Sequence, residues 1–253
     1  MSGHSHWATI KRKKGAADAK KGAIFTRLGR ELAVAAREGG PDPDSNFRLR
    51  LAMDKARAAA MPKDKIESAI RRGAGLDKDA AAFEEAMYEG YGPHGVAVMV
   101  KVLTDNKNRA VADVRRAFSR HGGNMAEAGA VGWGFDQRGY ISAPRNGQSE
   151  DKLFEMALEA GADDVEIGEE VVEIYTVPDQ LHAVRVALEK AGLKAESAEL
   201  VMKPKNLTDL PAKDAVSVMG LIDALEELDD VQQVYSNLNF SEEAVAQYEA
   251  QAA

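Results

Sequence analysis

The fold is decided by residues 131–203, which read VGWGFDQRGYISAPRNGQSEDKLFEMALEAGADDVEIGEEVVEIYTVPDQLHAVRVALEKAGLKAESAELVMK. Apolar periodicity and turn residues divide this stretch into six elements. They are strand 131–142, helix 150–161, strand 163–167, strand 170–176, helix 178–191 and strand 194–203. The order strand–helix–strand–strand–helix–strand is the split arrangement of ferredoxin-like domains. The sequence therefore predicts an α+β fold with a ferredoxin-like domain over residues 130–203.

The segments on either side of this stretch are incomplete when each is taken alone. The first supplies two strands, the second of them Val-rich, followed by a helix and a third strand, while the second supplies one helix and one strand. The predicted elements are strands 83–91 and 95–103, helix 106–120, helix 213–228 and strand 231–239. We therefore predict that residues 79–129 and 204–253 form a second, discontinuous ferredoxin-like α+β domain, into which the third domain is inserted.

Residues 1–78 have a different pattern, which predicts a small helical domain behind an N-terminal arm. Apolar residues recur at spacings of three and four over 17–38 and 46–61, and Pro62 suits the first position of a third helix that ends at Gly73. Residues 1–16 show no such periodicity and are expected to form a flexible arm.

Charge is distributed very unevenly along the chain. Residues 1–78 hold 18 Lys and Arg against 9 Asp and Glu, a net charge of +9; because the whole chain carries −8, the remaining residues carry −17. Such asymmetry predicts a basic module that binds a polyanion, carried on an acidic body that nucleic acid would repel. Acidic pairs in that body, such as Glu84-Glu85 and Asp229-Asp230, are expected to be solvated surface.

The candidate nucleic-acid-binding residues lie in the arm and on the polar faces of the first two helices. Clustered Lys and Arg bind phosphate because they release condensed counterions, and an aromatic side chain can stack on a base. The candidates are Trp7, Lys11, Arg12, Lys13, Lys14, Lys20, Lys21, Arg27, Arg30, Arg48 and Arg50. The pattern does not distinguish DNA from RNA.

Other motifs favour structural roles. Gly90-Tyr-Gly92-Pro-His-Gly95 matches a dinucleotide-binding fingerprint, but a strand follows it where a helix is required, so we interpret it as a hairpin turn. Thr104-Asp105-Asn106 is interpreted as a helix cap, with a phosphate contact through Arg109, Arg115 and Arg116 as the less favoured alternative.

No catalytic or cofactor motif stands out. The chain has no cysteine, His4 and His6 lack a third metal ligand, and no stretch approaches the roughly 20 apolar residues that span a bilayer. We therefore predict a protein that is not an enzyme, with no catalytic residues, cofactor, metal, small-molecule substrate or membrane partner.

Several stretches resemble one known family. The opening GHSHWATIK (3–11) is similar to the start of the YebC/PmpR family, and the resemblance continues through MPKDKIESAI (61–70), LTDNKNRA (103–110) and LIDALEELDDVQQVYSN (221–237). It covers nearly the whole chain. One departure is Phe47, which stands where members usually have Pro.

The resemblance implies three domains, a cytoplasmic location, no cofactor and a DNA-binding transcriptional regulator. It leaves an alternative open, because related proteins include translational activators. That alternative is a ribosome-associated translation factor that binds ribosomal RNA and aids the synthesis of proline-rich stretches.

Overall fold

The computed structural model describes residues 18–76 and 83–251 of the chain. The helices are α1 Asp18–Gly39, α2 Phe47–Ala58, α3 Lys63–Gly73, α4 Lys107–Arg120, α5 Glu150–Ala160, α6 Leu181–Lys190, α7 Ala212–Glu226 and α8 Glu242–Gln251. The strands are β1 Glu84–Tyr91, β2 Ala97–Thr104, β3 Asn124–Ala126, β4 Phe135–Pro144, β5 Asp164–Ile167, β6 Val171–Thr176, β7 Ser197–Pro204 and β8 Val231–Ser236.

Helices α1 to α3 form the predicted helical module around their own small core. Leu32, Leu49 and Ile66 bring the three helices together in this core. The end of α3 approaches α1 so closely that a Cβ on Gly73 would lie 2.0 Å from the carbonyl oxygen of Ala33. Only glycine fits there, so this residue determines how the two helices pack.

The second sheet has the predicted ferredoxin-like topology. Its strand order is β5-β6-β4-β7 and all its pairs are antiparallel. Leu153 of α5 and Leu188 of α6 pack against Ile174 of β6, so both helices cover one face. The apolar residues of 131–203 recur with regular spacing because they face this shared core between the sheet and its two helices.

The first sheet is also antiparallel, with the order β3-β1-β2-β8. Strand β8 pairs with β2 although the whole second sheet lies between them in the sequence. The chain thus has the predicted α+β class, in which a helical module precedes two sheet-containing domains and one is inserted into the other. The residue bounds of the domains stay a prediction. The split ferredoxin-like order predicted for this domain is not found among its described residues. Its central strands β1 and β2 are consecutive and form a hairpin, whereas a helix connects β4 to β5 in the second sheet.

Two element predictions need correction. Residues 242–251 form helix α8, where the sequence predicted nothing beyond residue 239. Its buried residues Ala244 and Val245 complete the core beneath the first sheet. Because both side chains are small, the apolar periodicity that would predict a helix is weak here. The strand predicted from residue 131 begins at Phe135, because a short 3₁₀ turn occupies Gly132–Gly134.

The glycine motif at residues 90–95 forms a hairpin turn, as interpreted from the sequence. It joins β1 to β2, with Tyr91 opposite Ala97. The first helix after the motif, α4, begins only at Lys107. In the part of the chain that the structure describes, no helix is long and apolar enough to cross a membrane.

Candidate nucleic-acid interface

The candidate residues of the arm and the first cations of α1 are not described as side chains in the structure. Trp7 and the four consecutive cations Lys11 to Lys14 lie outside the described residues. Lys20 and Lys21 lie in the first turn of α1, where the structure describes only the backbone. All of these assignments stay predictions.

Arg27 and Arg30 extend from α1 toward the connection between α7 and β8. Arg27 donates a hydrogen bond to the carbonyl oxygen of Glu226, and Arg30 donates one to that of Asp229. Arg30 also pairs with the carboxylate of Asp230 at 3.1 Å. The end of a helix exposes unpaired carbonyl oxygens and partial negative charge, so two guanidinium groups are well suited to this position. Burial lowers the pKa of Arg27, although nearby Asp229 opposes that shift.

Asp230 is the centre of this contact and is only 7% exposed. Its carboxylate accepts hydrogen bonds from Thr104 Oγ1 at 3.0 Å and from Arg109 Nη2 at 2.9 Å, beside the pair with Arg30. The prediction that Asp229-Asp230 is solvated surface is therefore wrong for Asp230. A buried carboxylate with three partners joins the helical module to the first sheet.

Arg48 and Arg50 on α2 are also engaged within the protein. Arg48 pairs with Glu38 of α1 and with Glu85 of β1. Burial lowers the pKa of Arg48, but Glu85 and Glu38 outweigh burial and raise it overall. Arg50 donates to the carbonyl oxygen of Asp44 at 2.8 Å. Because Glu85 also pairs with Lys101 at 3.5 Å, it too is more than solvated surface.

Lys55, which is not among the predicted binding residues, links three parts of the chain. Its Nζ lies 2.6 Å from Glu199 of β7 and 3.3 Å from Glu31 of α1. Burial lowers the pKa of Lys55, but the two carboxylates outweigh this effect and raise it. Gln233 of β8 donates to the same Glu199 oxygen at 2.7 Å. The helical module thus contacts both sheets through ion pairs, and we call its residues Arg27, Arg30, Arg48 and Lys55 the inner face.

A second set of cations lies on α3 and is exposed. Ile66 packs inward, which leaves the polar residues of the helix on the outside. Lys65 Nζ lies 5.5 Å from the ring centroid of Phe25 on α1, so this side of α3 adjoins the helix that carries Lys20 and Lys21. Arg71 and Arg72 form no ion pair with any described residue. We call Lys63, Lys65, Arg71 and Arg72 the outer face.

The cations of the outer face are absent from the predicted binding residues, although the sequence contains a signal for them. Ile66 and Ile70 form an apolar stripe with a spacing of four, and Lys65, Arg71 and Arg72 lie outside that stripe. Helical periodicity alone therefore indicates that these residues are exposed.

The cap at the start of α4 has the geometry expected for this motif. Asn106 Oδ1 accepts a hydrogen bond from the backbone N–H of Arg109 at 3.1 Å. Arg109 pairs with Asp105 and Asp230, and Arg116 lies 3.6 Å from Asp113. These contacts favour the structural interpretation of the motif.

The described residues offer little for catalysis. They contain no group of three His, Asp or Glu that could hold a metal ion. Burial raises the pKa of Glu173 to about 7, but this carboxyl is 3% exposed and accepts a hydrogen bond from Tyr140 at 2.7 Å. A carboxyl enclosed in this way has no open side for a substrate.

Comparisons with known proteins cover the chain almost completely. The model described as the TACO1/YebC protein N-terminal domain matches residues 5–76, and the TACO1/YebC second and third domain matches residues 83–238. A probable transcriptional regulatory protein of Rubrobacter xylanophilus is 52% identical over 247 residues, which are 98% of this chain and 99% of that protein. A protein of the same description from Acidithiobacillus ferrooxidans is 53% identical over 250 residues, which are 99% of both chains.

A solved structure agrees with the fold. The crystal structure of a conserved hypothetical protein from Aquifex aeolicus superimposes with a TM-score of 0.82 at 48% sequence identity, covering 87% of this chain and 91% of that one. With both family models matching in chain order, this chain belongs to the TACO1/YebC family.

Proposed function

We propose that this protein is a non-enzymatic regulator of gene expression that binds nucleic acid through its basic N-terminal module. The observation that carries the proposal is the segregation of charge, +9 in residues 1–78 against −17 in the rest. A polyanion is attracted to the first part and repelled by the second, so the charge pattern also orients the complex.

Because the inner-face cations are bonded within the protein, fewer of the basic residues in the module are available to bind phosphate. Inner-face cations already have carboxylate or carbonyl partners. Outer-face cations are exposed to solvent, and Lys65 adjoins α1, the helix whose first turn contains Lys20 and Lys21. The proposed phosphate-binding surface therefore consists of the arm, the start of α1 and the outer face of α3.

DNA is the target that the relatives' names suggest, since they are described as probable transcriptional regulatory proteins. One observation favours RNA on the ribosome as a second candidate. The exposed part of α3 offers Lys and Arg, which hold phosphate in any sequence and can also pair with guanine, but it contains neither Asn nor Gln to pair with adenine edges. A surface of this kind suits a backbone recognised by shape and charge.

The proposal is tested by reversing charge at Lys13, Lys14, Lys20 and Lys21 together, each to Glu. We expect nucleic-acid binding at moderate salt to be lost while the circular dichroism spectrum and thermal midpoint stay unchanged, because phosphate affinity depends steeply on the number of cations in contact. The matched control reverses four exposed lysines of the acidic body, Lys152, Lys190, Lys194 and Lys213. Unchanged binding in the first variant, or equal loss in both, would contradict the proposal.

The two targets are separated by sedimentation with ribosomes and by promoter-DNA titration at the same two ionic strengths. A translation factor co-sediments at moderate salt while its DNA binding fades. A transcriptional regulator stays free of ribosomes and retains sequence-selective DNA binding.

A further inference from the structure

We propose that Trp133 is a stacking platform for an unpaired base of a single-stranded nucleic acid, outside the basic module. The inference rests on the proposed function, to which it adds a class of ligand and a second point of contact. Trp133 lies in the turn between the first sheet and β4, and 72% of its surface is exposed. An indole exposed to this extent is unusual, since tryptophan is highly buried on average.

The turn that carries Trp133 is held rigidly by a buried carboxylate. Glu89 of β1 is 8% exposed, and it accepts hydrogen bonds from the backbone N–H groups of Gly129, Val131 and Gly132 at 2.7 to 2.8 Å. Burial alone raises the pKa of Glu89, but the three donors outweigh it and the pKa lies below its ordinary value. The Glu89 carboxylate thus fixes the backbone directly before Trp133.

The indole itself is fixed by its own hydrogen bond. Trp133 Nε1 donates to the carbonyl oxygen of Ala130 at 3.0 Å, and the hydroxyl of Tyr91 donates to the same oxygen at 3.0 Å. Lys205 Nζ donates to the carbonyl oxygen of Trp133 at 2.8 Å from the other side. Because the ring N–H is satisfied within the turn, a ligand meets the π surface of the ring.

The surroundings indicate stacking rather than attraction of phosphate. Lys205 is paired with Asp136 at 3.3 Å, and the adjoining groove of about 330 Å³ contains further Lys and Arg residues paired with carboxylates. With its charges neutralised, this area offers little to a phosphate backbone. Aromatic rings bind bases of any sequence because every base has a π face, and a base is free to stack only where it is unpaired.

The chemistry yields a specific salt signature. Removal of an aromatic platform weakens binding by a factor that does not depend on ionic strength, since no counterion is released. Removal of a phosphate-binding cation changes the slope of log affinity against log salt. The role of Trp133 is therefore separable from that of the arm in one set of titrations.

The test uses the full chain and exploits its two tryptophans, Trp7 and Trp133. In the variant Trp7→Phe, Trp133 is the only tryptophan, so its fluorescence reports on this turn alone. We expect a short single-stranded oligoadenylate to quench that fluorescence, and a hairpin duplex with the same number of phosphates to leave it unchanged. Binding of each probe is followed independently by anisotropy of an end-labelled copy.

The matching substitutions are Trp133→Ala and Trp133→Phe. Loss of one stacked base weakens affinity for oligoadenylate roughly five- to 150-fold on alanine substitution, with an unchanged salt slope, and Phe recovers most of the loss. Leu158→Ala removes another exposed apolar side chain, 63% exposed on α5, and is expected to have no effect. Thermal melting of each variant verifies that the fold is intact.

Three results overturn the inference while leaving the proposed function in place, and the first two concern oligoadenylate. In one, oligoadenylate binds by anisotropy but leaves the fluorescence of Trp133 unchanged. In the other, Trp133→Ala binds as tightly as the unmodified protein. If a basic or proline-rich peptide quenches Trp133 and oligoadenylate does not, the platform belongs to a protein partner and the inference is also overturned. If the unmodified protein binds no nucleic acid even at low salt, the proposed function itself fails.

Discussion

The inner and outer faces of the helical module use the same residue types in opposite ways. On the inner face, Arg30 is 12% exposed at its side chain and pairs with a buried carboxylate. On the outer face, Lys63 is 89% exposed and pairs with Glu67, which lies 3.6 Å away in the next turn of the same helix. Cations on one face hold the protein together, while those on the other remain available to a ligand.

The comparison shows why a net charge of +9 overstates the charge that a polyanion meets. Carboxylates of the acidic domains, notably Glu85, Glu199 and Asp230, already neutralise inner-face cations. Acidic residues at these positions therefore have a structural role in docking the module. The rest of the acidic surface keeps the repulsive role that the charge pattern indicates.

The largest effect is expected from breaking the inner face at its centre with Asp230→Ala. Removal of this carboxylate leaves the buried guanidinium of Arg30 without its carboxylate partner and takes away a partner of Arg109 and Thr104. Loss of one member of a buried ion pair costs about 3–5 kcal/mol of unfolding free energy. Urea unfolding measures it.

The control for that change is Asp113→Ala on α4. Asp113 is 37% exposed at its side chain and lies 3.6 Å from Arg116, a pair worth about 0–1 kcal/mol. Equal urea-unfolding midpoints for Asp230→Ala and Asp113→Ala would show that the contact at Asp230 contributes little to stability. The proposed contrast between the two faces would then be wrong.

A smaller effect is expected in double-mutant cycles, which measure the coupling energy of one ion pair on each face. The pair Lys55–Glu199 lies at 2.6 Å with about a quarter of each side chain exposed, whereas Lys63–Glu67 lies at 3.6 Å and is largely exposed. We expect a coupling energy of about 1–2 kcal/mol for the first cycle and about 0–0.5 kcal/mol for the second. Single and double substitutions to Ala, measured by urea unfolding, give both values; a larger coupling on the outer face would contradict the assignment.

Much of the fold could be predicted because it depends on local periodicity. The six elements of residues 131–203 follow from alternating or helically spaced apolar residues, and the insertion follows from counting the elements that remain. Helix α8 escaped prediction because its buried residues are small. That Ala244 and Val245 are buried becomes evident only when the core under the first sheet is assembled.

The two faces of the module could not be told apart in the sequence. Spacing places Arg27 and Arg30 outside the apolar stripe of α1, and this rule says only that they do not enter the module's own core. Their burial results from contact with the end of α7, about 200 residues later in the chain. Only tertiary contact distinguishes a cation that docks a domain from one that faces a ligand.

The smallest effect on stability, and the sharpest test of the comparison, is expected for the double change Arg71→Ala and Arg72→Ala. Both side chains are exposed, so the free energy of unfolding should change by less than about 0.5 kcal/mol. If each arginine contacts one phosphate, the slope of log affinity against log salt falls by roughly 1.4–1.8 in total. Anisotropy titrations over a series of salt concentrations measure the slope.

The matched inner-face variant for these titrations is Arg48→Ala. It should lower stability and leave the salt slope unchanged, because its guanidinium bonds to Glu38 and Glu85 and not to phosphate. A fall in slope for this variant as well would mean that nucleic acid displaces those carboxylates. The helical module would then separate from the acidic domains on binding, and the inner face would be a second phosphate-binding surface that the free protein keeps covered.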